Sequence, residues 1–376
     1  MRGQLGHLVD AGFDVHFVTS FAGALPEGAI DPGVTLHSVG LRRELSPVAD
    51  AVSVAKLAAL IAKLRPQIVQ AGTPKAALLG MIAARLVGVP VRIYHMRGLD
   101  HLAGHRGRAL AAAAAVKTSC AMATRVLCVS ESMRERLVSD GFCAAEKTHV
   151  HLRGSSNGVD AELRFNPALH QNQRSDLRRA LGILDGSLVI GFVGRLVRDK
   201  GIETLFDAWQ ILREQFPEAI LLLVGPFEKS DAVPARVREG LRLDPRIKHT
   251  QTDWGEAAPL YSAMDLVAFP SQREGFPNVP LEAAAMGLAV VASRVVGCVD
   301  AVVHGSTGIL VEPRDPEALG RALARLLREP AWREALGEAG RARVLRDYRP
   351  RDLWAAQVAW YRSLLANQSS RVEGSP

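Results

Sequence analysis

Gly191-Phe192-Val193-Gly194-Arg195-Leu196-Val197-Arg198-Asp199-Lys200-Gly201 joins two different periodicities. Ahead of its turn, residues 188–194 form a short apolar, partly β-branched run, the pattern of a buried strand. Behind it, residues 202–215 repeat their apolar positions at helical spacing. A buried strand feeding a helix through a glycine turn is a βα unit, the building block of parallel sheets. In open α/β sheets ligands bind outside the carboxyl ends of the strands, where this turn lies. Gly194 lets backbone come close to a ligand, and Gly201 allows a tight start to the helix. Arg195 and Lys200 place two cations beside a helix N-terminus, and with the positive dipole end they make a seat for a diphosphate. Each charge-assisted bond would contribute roughly 1.5–3 kcal/mol. The alternative is a solvated basic turn, and the segment alone leaves both readings open.

The same alternation extends in both directions. On the amino-terminal side the pattern predicts helix 4–11 ending at Gly12, strands 13–19 and 34–39, helix 48–64 closed by Pro66, strand 67–71, helix 75–87, and strand 89–95. Strand 125–129 follows, then helix 131–139 with Ser130 as its N-cap. From Ser155 to about Leu181 the pattern lapses into Ser, Asn, Gly, Pro and Gln, which marks a domain boundary. It then restarts with the quoted strand and helix, strands 220–224, 247–250, 266–269, 289–292 and 309–311, and closing helices 316–327, 331–346 and 352–365. The chain is therefore expected to be α/β, with two doubly wound domains and the active site in the cleft between them. The expected divisions are 1–158, 159–348, a helix at 349–366 and a polar, disordered tail at 367–376. A doubly wound domain opens with a buried strand, whereas this chain opens with a helix, so the first strand is expected to be missing.

The second informative segment is Ser271-Gln272-Arg273-Glu274-Gly275-Phe276-Pro277-Asn278-Val279-Pro280-Leu281-Glu282. It too follows a strand end. Asn278 reads as an N-cap, Pro280 fits the first helical turn, and Gly287 ends the helix. Glu282 can be read as a carboxylate complementing the helix dipole, and Glu274 as a solvated loop acid. The binding reading has both acids gripping hydroxyls in a polyol site, with the N–H groups of Gly275 and Phe276 exposed to a phosphate.

Composition narrows the function classes. The chain has 376 residues, 48% hydrophobic and 23% charged, which excludes a single small domain, a disordered chain and a fibrous one. Its formal charge is +7, carried by 8 Lys and 38 Arg against 39 acidic residues. The basic residues are scattered rather than clustered. They favour anionic partners, and arginine suits phosphate because its planar fork donates two parallel bonds. With aromatics at 5% and no aromatic–basic interleaving, nucleic acid is not an expected partner. Cys120, Cys128, Cys143 and Cys298 form no C-x-x-C pair and no disulfide framework, which fits a reducing, cytoplasmic setting. No run approaches 18 apolar residues, and no signal peptide is read at the start.

Glu274 and Glu282 together resemble the Glu-x7-Glu motif of retaining glycosyltransferases of family 4. The Gly-Arg-x4-Lys-Gly pattern at 194–201 resembles their donor-diphosphate motif, and Gly297 and the Gly305–Gly308 stretch also fit. The resemblance covers nearly the whole chain. Arg2-Gly3-Gln4-Leu5, Thr73-Pro74-Lys75-Ala76, Gly88-Val89-Pro90-Val91-Arg92, Val129-Ser130-Glu131-Ser132 and Asn157-Gly158-Val159-Asp160 resemble a narrower group. That group builds bacterial surface glycans on polyprenyl-diphosphate lipids.

The resemblance implies a GT-B fold of two Rossmann-like domains, the donor held mostly by the second and the last helix crossing back onto the first. It implies that Arg195 and Lys200 neutralise the donor diphosphate, that Glu274 contacts the sugar, and that Glu282 contacts the ribose. Gly194, Gly225, Thr252, Gly275, Phe276, Asn278 and Val279 would line the donor site, with Gly225 and Thr252 near the base. The donor would be a nucleotide-sugar, UDP with an N-acetylated hexose, and no metal would be needed. The acceptor would be a lipid-linked phosphate at the inner membrane face, reached through a docking face around Arg97, Arg106 and Arg108. Many relatives carry a His-Gly pair where this chain has Arg97-Gly98. An arginine cannot replace a neutral imidazole but can hold a phosphate, so Arg97 and His95 are the acceptor-side candidates, with His101 beside them.

Three rival readings remain open. The acceptor could be a soluble secondary metabolite, the protein could be a GT-B sugar-nucleotide epimerase, or it could be a non-catalytic nucleotide-binding relative. Other motifs carry little. Gly154-Ser155-Ser156-Asn157-Gly158 matches G-x-S-x-G, but a nucleophile elbow needs a following helix. His101 and His105 are four apart but lack a third metal ligand. The chain has neither G-x-G-x-x-G nor a P-loop motif.

Overall fold

A computed structural model describes residues 3–20, 28, 30–41, 46–98, 106–228, 230–251 and 257–373. The chain divides into two compact units, Met1–Asn157 with Pro350–Pro376, and Gly158–Arg349.

In the first unit the order is α1 (Gln4–Asp10), β1 (His16–Thr19), β2 (Thr35–Ser38), α2 (Pro47–Leu64), β3 (Ile68–Ala71), α3 (Pro74–Val87), β4 (Val91–Met96), α4 (Arg106–Met122), β5 (Arg125–Cys128), α5 (Glu131–Ser139) and β6 (Thr148–His149). Every strand pairing in it is parallel, but the strands fall into two sheets. β1 pairs with β2, with Phe17 opposite Leu36, and β3–β4–β5–β6 form a second sheet in sequence order. Ser130 caps α5 as expected, its hydroxyl accepting from the Met133 amide at 3.1 Å. The Ala-rich stretch after residue 105 forms α4 and stops at Met122, so β5 begins at Arg125.

The second unit contains α6 (Pro167–His170), α7 (Arg174–Ala180), β7 (Val189–Val193), α8 (Ile202–Gln215), β8 (Ile220–Val224), α9 (Ala235–Leu243), β9 (Ile247–Thr250), α10 (Ala258–Tyr261), β10 (Leu266–Phe269), α11 (Asn278–Ala285), β11 (Ala289–Ser293), α12 (Cys298–Ala301), β12 (Ile309–Val311), α13 (Pro316–Arg328) and α14 (Pro330–Asp347). Its six-stranded parallel sheet has the order β12–β11–β10–β7–β8–β9. β7, β8, β10 and β11 are buried throughout, which is why they read as continuous apolar runs rather than alternating ones. Trp209 of α8 is fully buried, and its indole N–H reaches Asp244 at 2.9 Å.

α15 (Pro350–Glu373) belongs to the first unit. Val358, Tyr361 and Leu364 pack with Leu8 of α1, Val91 and Ile93 of β4 and Leu127 of β5. The helix continues past the expected end at Ala366 to Glu373. No proline or glycine interrupts residues 367–373, so polar composition alone did not stop it. At α11 the expected cap also shifts by one residue. Pro277 is the N-cap and Asn278 the first helical residue. No helix among the described residues is long and apolar enough to cross a membrane.

Candidate active site

In the six-stranded sheet, β7 continues on one side to β8 and β9, while β10 lies against its other edge. The strand order reverses between β7 and β10, and in open α/β sheets that crevice is where ligands bind. The loop after β7 carries Gly194, Arg195 and Lys200. The loop after β10 carries Glu274, Gly275 and Phe276, and α11 follows with Glu282. The two sequence segments singled out for their chemistry are thus neighbours at the switch point.

Close backbone approaches fix this arrangement. Gly201 has φ 74, and a Cβ there would lie 2.0 Å from the Pro270 carbonyl oxygen at the end of β10. Gly225, after β8, has φ 139, and a Cβ there would lie 2.0 Å from the Gly194 oxygen. Any side chain at either position would push the loops apart. Two further bonds tie the first loop to the second. The Gln272 amide donates to the Asp199 carbonyl at 2.8 Å, and the Ser271 hydroxyl donates to the same oxygen at 3.3 Å.

The charged groups pair across the loops. Lys200 Nζ donates to Glu274 Oε1 at 2.6 Å, with both side chains largely shielded. Arg195 Nη1 donates to Glu228 Oε2 at 3.0 Å, and its Nη2 lies 3.8 Å from Asp199. Glu228 had no signal in the sequence beyond its charge. Both cations of the candidate diphosphate seat are therefore held by carboxylates.

Glu282 is enclosed. Tyr261, with no exposed surface, donates its hydroxyl to Glu282 Oε2 at 2.8 Å. Burial pushes the Glu282 carboxyl above its ordinary range, while the Tyr261 bond and the charge of Arg164 pull it back. Gly275 and Phe276 are buried, and Phe276 packs against Tyr348 with ring centroids 5.7 Å apart. Asn278 is exposed and Val279 half-buried. Gly225 accepts from His249 Nε2 at 2.8 Å through its carbonyl. Thr252 lies outside the described residues.

The acceptor-side candidates sit in the first unit, at the end of β4. His95 is half-buried, its Nδ1 3.5 Å from Gln70 Nε2. Burial, and next the charge of Arg97, bring its pKa down to about 3, so the ring is neutral. Arg97 is exposed. His95 shares a small polar recess with Gln4, His151, Ser155 and Gln357. Of the Arg97, Arg106 and Arg108 face, only Arg97 has a described side chain; His101 and His105 lie outside the described residues. In the Thr73–Ala76 segment, Lys75 pairs with Asp50 at 2.6 Å. Ser155, in the G-x-S-x-G match, has φ 84 and is followed by turns rather than a helix. Among the described residues no group of three or more His, Cys, Asp or Glu is placed to hold a metal ion.

Comparison with known proteins follows the same division. Residues 1–154 match the family described as glycosyl transferase 4-like domain, and residues 187–329 match glycosyl transferases group 1. The chain is 32% identical to the capsular polysaccharide biosynthesis glycosyltransferase CapM of Staphylococcus aureus, over 99% of this chain and 95% of that one. It is 26% identical to a UDP-Gal:alpha-D-GlcNAc-diphosphoundecaprenol alpha-1,3-galactosyltransferase of Escherichia coli, over 84% of this chain and 80% of that one. Among solved structures, sucrose-phosphate synthase from Thermosynechococcus elongatus aligns with a TM-score of 0.80 at 25% identity, covering 97% of this chain and 92% of that one. Anabaena HepE, solved with UDP and glucose, aligns with a TM-score of 0.72 at 24% identity, covering 88% and 86%. With both halves matched, and CapM aligned along almost the whole length, the chain belongs to the family 4-like glycosyltransferases of GT-B fold.

Proposed function

We propose that the protein is a retaining transferase that moves an N-acetylhexosamine-type sugar from a UDP-sugar to a lipid-linked phosphate acceptor in glycan assembly. The observation that carries the donor reading is the Lys200–Glu274 ion pair at the β7–β10 switch point. A donor diphosphate would compete with Glu274 for Lys200 and with Glu228 for Arg195. It would then leave Glu274 free to accept from a sugar hydroxyl, while Glu282 accepts from the ribose. Two cations would stabilise the charge that develops on the leaving diphosphate without a divalent ion. The departing phosphate would take the acceptor proton, so no protein base is assigned. UDP is favoured because HepE is solved with it and the E. coli relative is named for a UDP-sugar. A polyprenyl-diphosphate acceptor is favoured by the same E. coli name and by the capsule role in the name of CapM.

The test is transfer from UDP-sugars to polyprenyl-diphosphate acceptors, with product stereochemistry read by NMR. Product of retained configuration supports the reading, and an inverted product contradicts it. Peripheral docking at the membrane is part of the proposal, because each basic residue near an anionic surface contributes about 1 kcal/mol. Raised salt should then release the protein from anionic vesicles. Binding that ignores salt would overturn electrostatic docking.

A further inference from the structure

The proposed ribose ligand Glu282 has an unusual setting for a carboxylate that must accept hydrogen bonds. It lies in α11, and one of its oxygens is already taken by the Tyr261 hydroxyl. Tyr261 closes the short helix α10 and has no exposed surface. Its ring meets Phe165 edge-on, with centroids 5.9 Å apart at 76°. Packing explains an aromatic ring at this point but not a hydroxyl. A buried hydroxyl left unpaired costs about 1–3 kcal/mol, and this one is aimed at Glu282 Oε2. Among the described residues no hydrogen bond is formed to Glu282 Oε1.

We propose that Tyr261 is the positioning residue for Glu282. Its hydroxyl fixes Oε2 and the carboxylate plane, so that Oε1 is left to accept from the donor ribose. The inference rests on the reading of Glu282 as the ribose ligand and deepens it. A neutral carboxylic acid carries a proton on one oxygen and keeps only part of its acceptor capacity, so donor binding favours the ionised form. Burial disfavours that form. Two groups oppose burial: the Tyr261 hydroxyl on α10, and the Arg164 guanidinium on the segment preceding α6. Arg341 of α14 spends its bonds on the Ala285 and Phe165 carbonyls and on Asn166. Tyr261 itself stays protonated, since burial and the Glu282 charge raise its pKa well above normal. It therefore acts as a fixed donor and not as an acid or base.

The test is the pH dependence of UDP-glucose binding by calorimetry, because the diphosphate of this probe carries no titrating proton between pH 5 and about 8. Wild type, Tyr261→Phe and Glu282→Gln are compared. In wild type, affinity should fall on the acid side as Glu282 protonates. Losing a hydrogen bond to a charged group is about one pH unit of ionisation. Tyr261→Phe should therefore move the acid limb upward by about one unit, weakening binding about tenfold on that limb, with turnover at saturating donor little changed. Glu282→Gln should bind weakly at all pH values and show no limb. Should Tyr261→Phe fail to fold, a fluorinated tyrosine at 261 serves instead. It is a stronger donor, and it should move the limb downward. If the limb stays in place with either change at Tyr261 while Glu282→Gln abolishes it, Tyr261 only packs and the proposal is overturned. If Glu282→Gln binds like wild type, limb included, the ribose reading fails and takes the proposal with it.

Discussion

Lys200 and Glu274 lie 74 residues apart in sequence, and their side chains meet at 2.6 Å where the strand order of the second unit reverses. The pair joins the loop after β7 to the loop after β10. In the proposed reaction each partner has a different ligand, diphosphate for the lysine and sugar for the glutamate. Glu274→Gln should therefore separate binding from chemistry. It removes the carboxylate that competes for Lys200, so UDP affinity should hold or rise a few-fold. It also removes a sugar contact, so turnover should fall roughly a hundredfold. Calorimetry and a transfer assay on the same preparation check both. Equal losses of affinity and turnover would contradict the division of roles.

The site loops depend on an anchor at the opposite ends of the strands. Asp265, just before β10, accepts from Arg174 at 2.7 Å and Arg178 at 2.8 Å, and its Oδ2 also accepts from the Val189 amide at 2.7 Å. Arg178 is buried and donates as well to the Ala263 and Ser187 carbonyls. The cluster joins α7 to the starts of β7 and β10, the two strands that flank the switch point. Asp265→Asn leaves a buried guanidinium without its counter-charge. A loss of about 3 kcal/mol is expected in denaturant unfolding of the second unit. A loss under about 1 kcal/mol would mean that the ion pairs are dispensable.

The amino-terminal half has a pH sensitivity of its own. Burial brings His95 and His151 to about 3, and among the described residues His151 Nε2 has no hydrogen-bond partner while its Nδ1 meets His149 at 3.0 Å. Both rings stay neutral in the folded chain at a pH where unfolded histidine takes up a proton. Their contribution is fully present above pH 6.5 and is lost as pH falls from there towards about 3. At pH 5 the loss is about 2 kcal/mol per ring. Hydrogen exchange of β4 and β5 should therefore accelerate from pH 7 to 5, after correction for intrinsic rates. His151→Gln should accelerate less. Equal pH slopes in the two proteins would contradict burial of a neutral ring.

Much of the fold could be read from the sequence because buried parallel strands announce themselves. The expected 202–215, 220–224, 247–250 and 266–269 coincide with α8, β8, β9 and β10. Glycine and proline punctuation placed Gly201 and Gly287 at the correct helix ends. The pairing of side chains was not legible. Tyr261 offered no charge or spacing that would link it to Glu282, and Glu228 looked like any surface acid. Such partners are chosen by which loops a crossover brings together, and local pattern does not record that. The split of the first unit into β1–β2 and β3–β6 was equally invisible, since each strand carries the same local signal whichever sheet it joins. The end of α15 was missed because the polar residues after Ala366 tolerate a helix as readily as a coil.

The diphosphate seat is tested most directly by a calorimetric titration of the protein with UDP, GDP, ADP and TDP, without added divalent metal and with Lys200→Ala alongside. Micromolar binding of UDP in preference to the others is expected, weakened roughly a hundredfold in the folded variant. UDP binding that survives Lys200→Ala unchanged would contradict the diphosphate seat at the β7–β10 switch point.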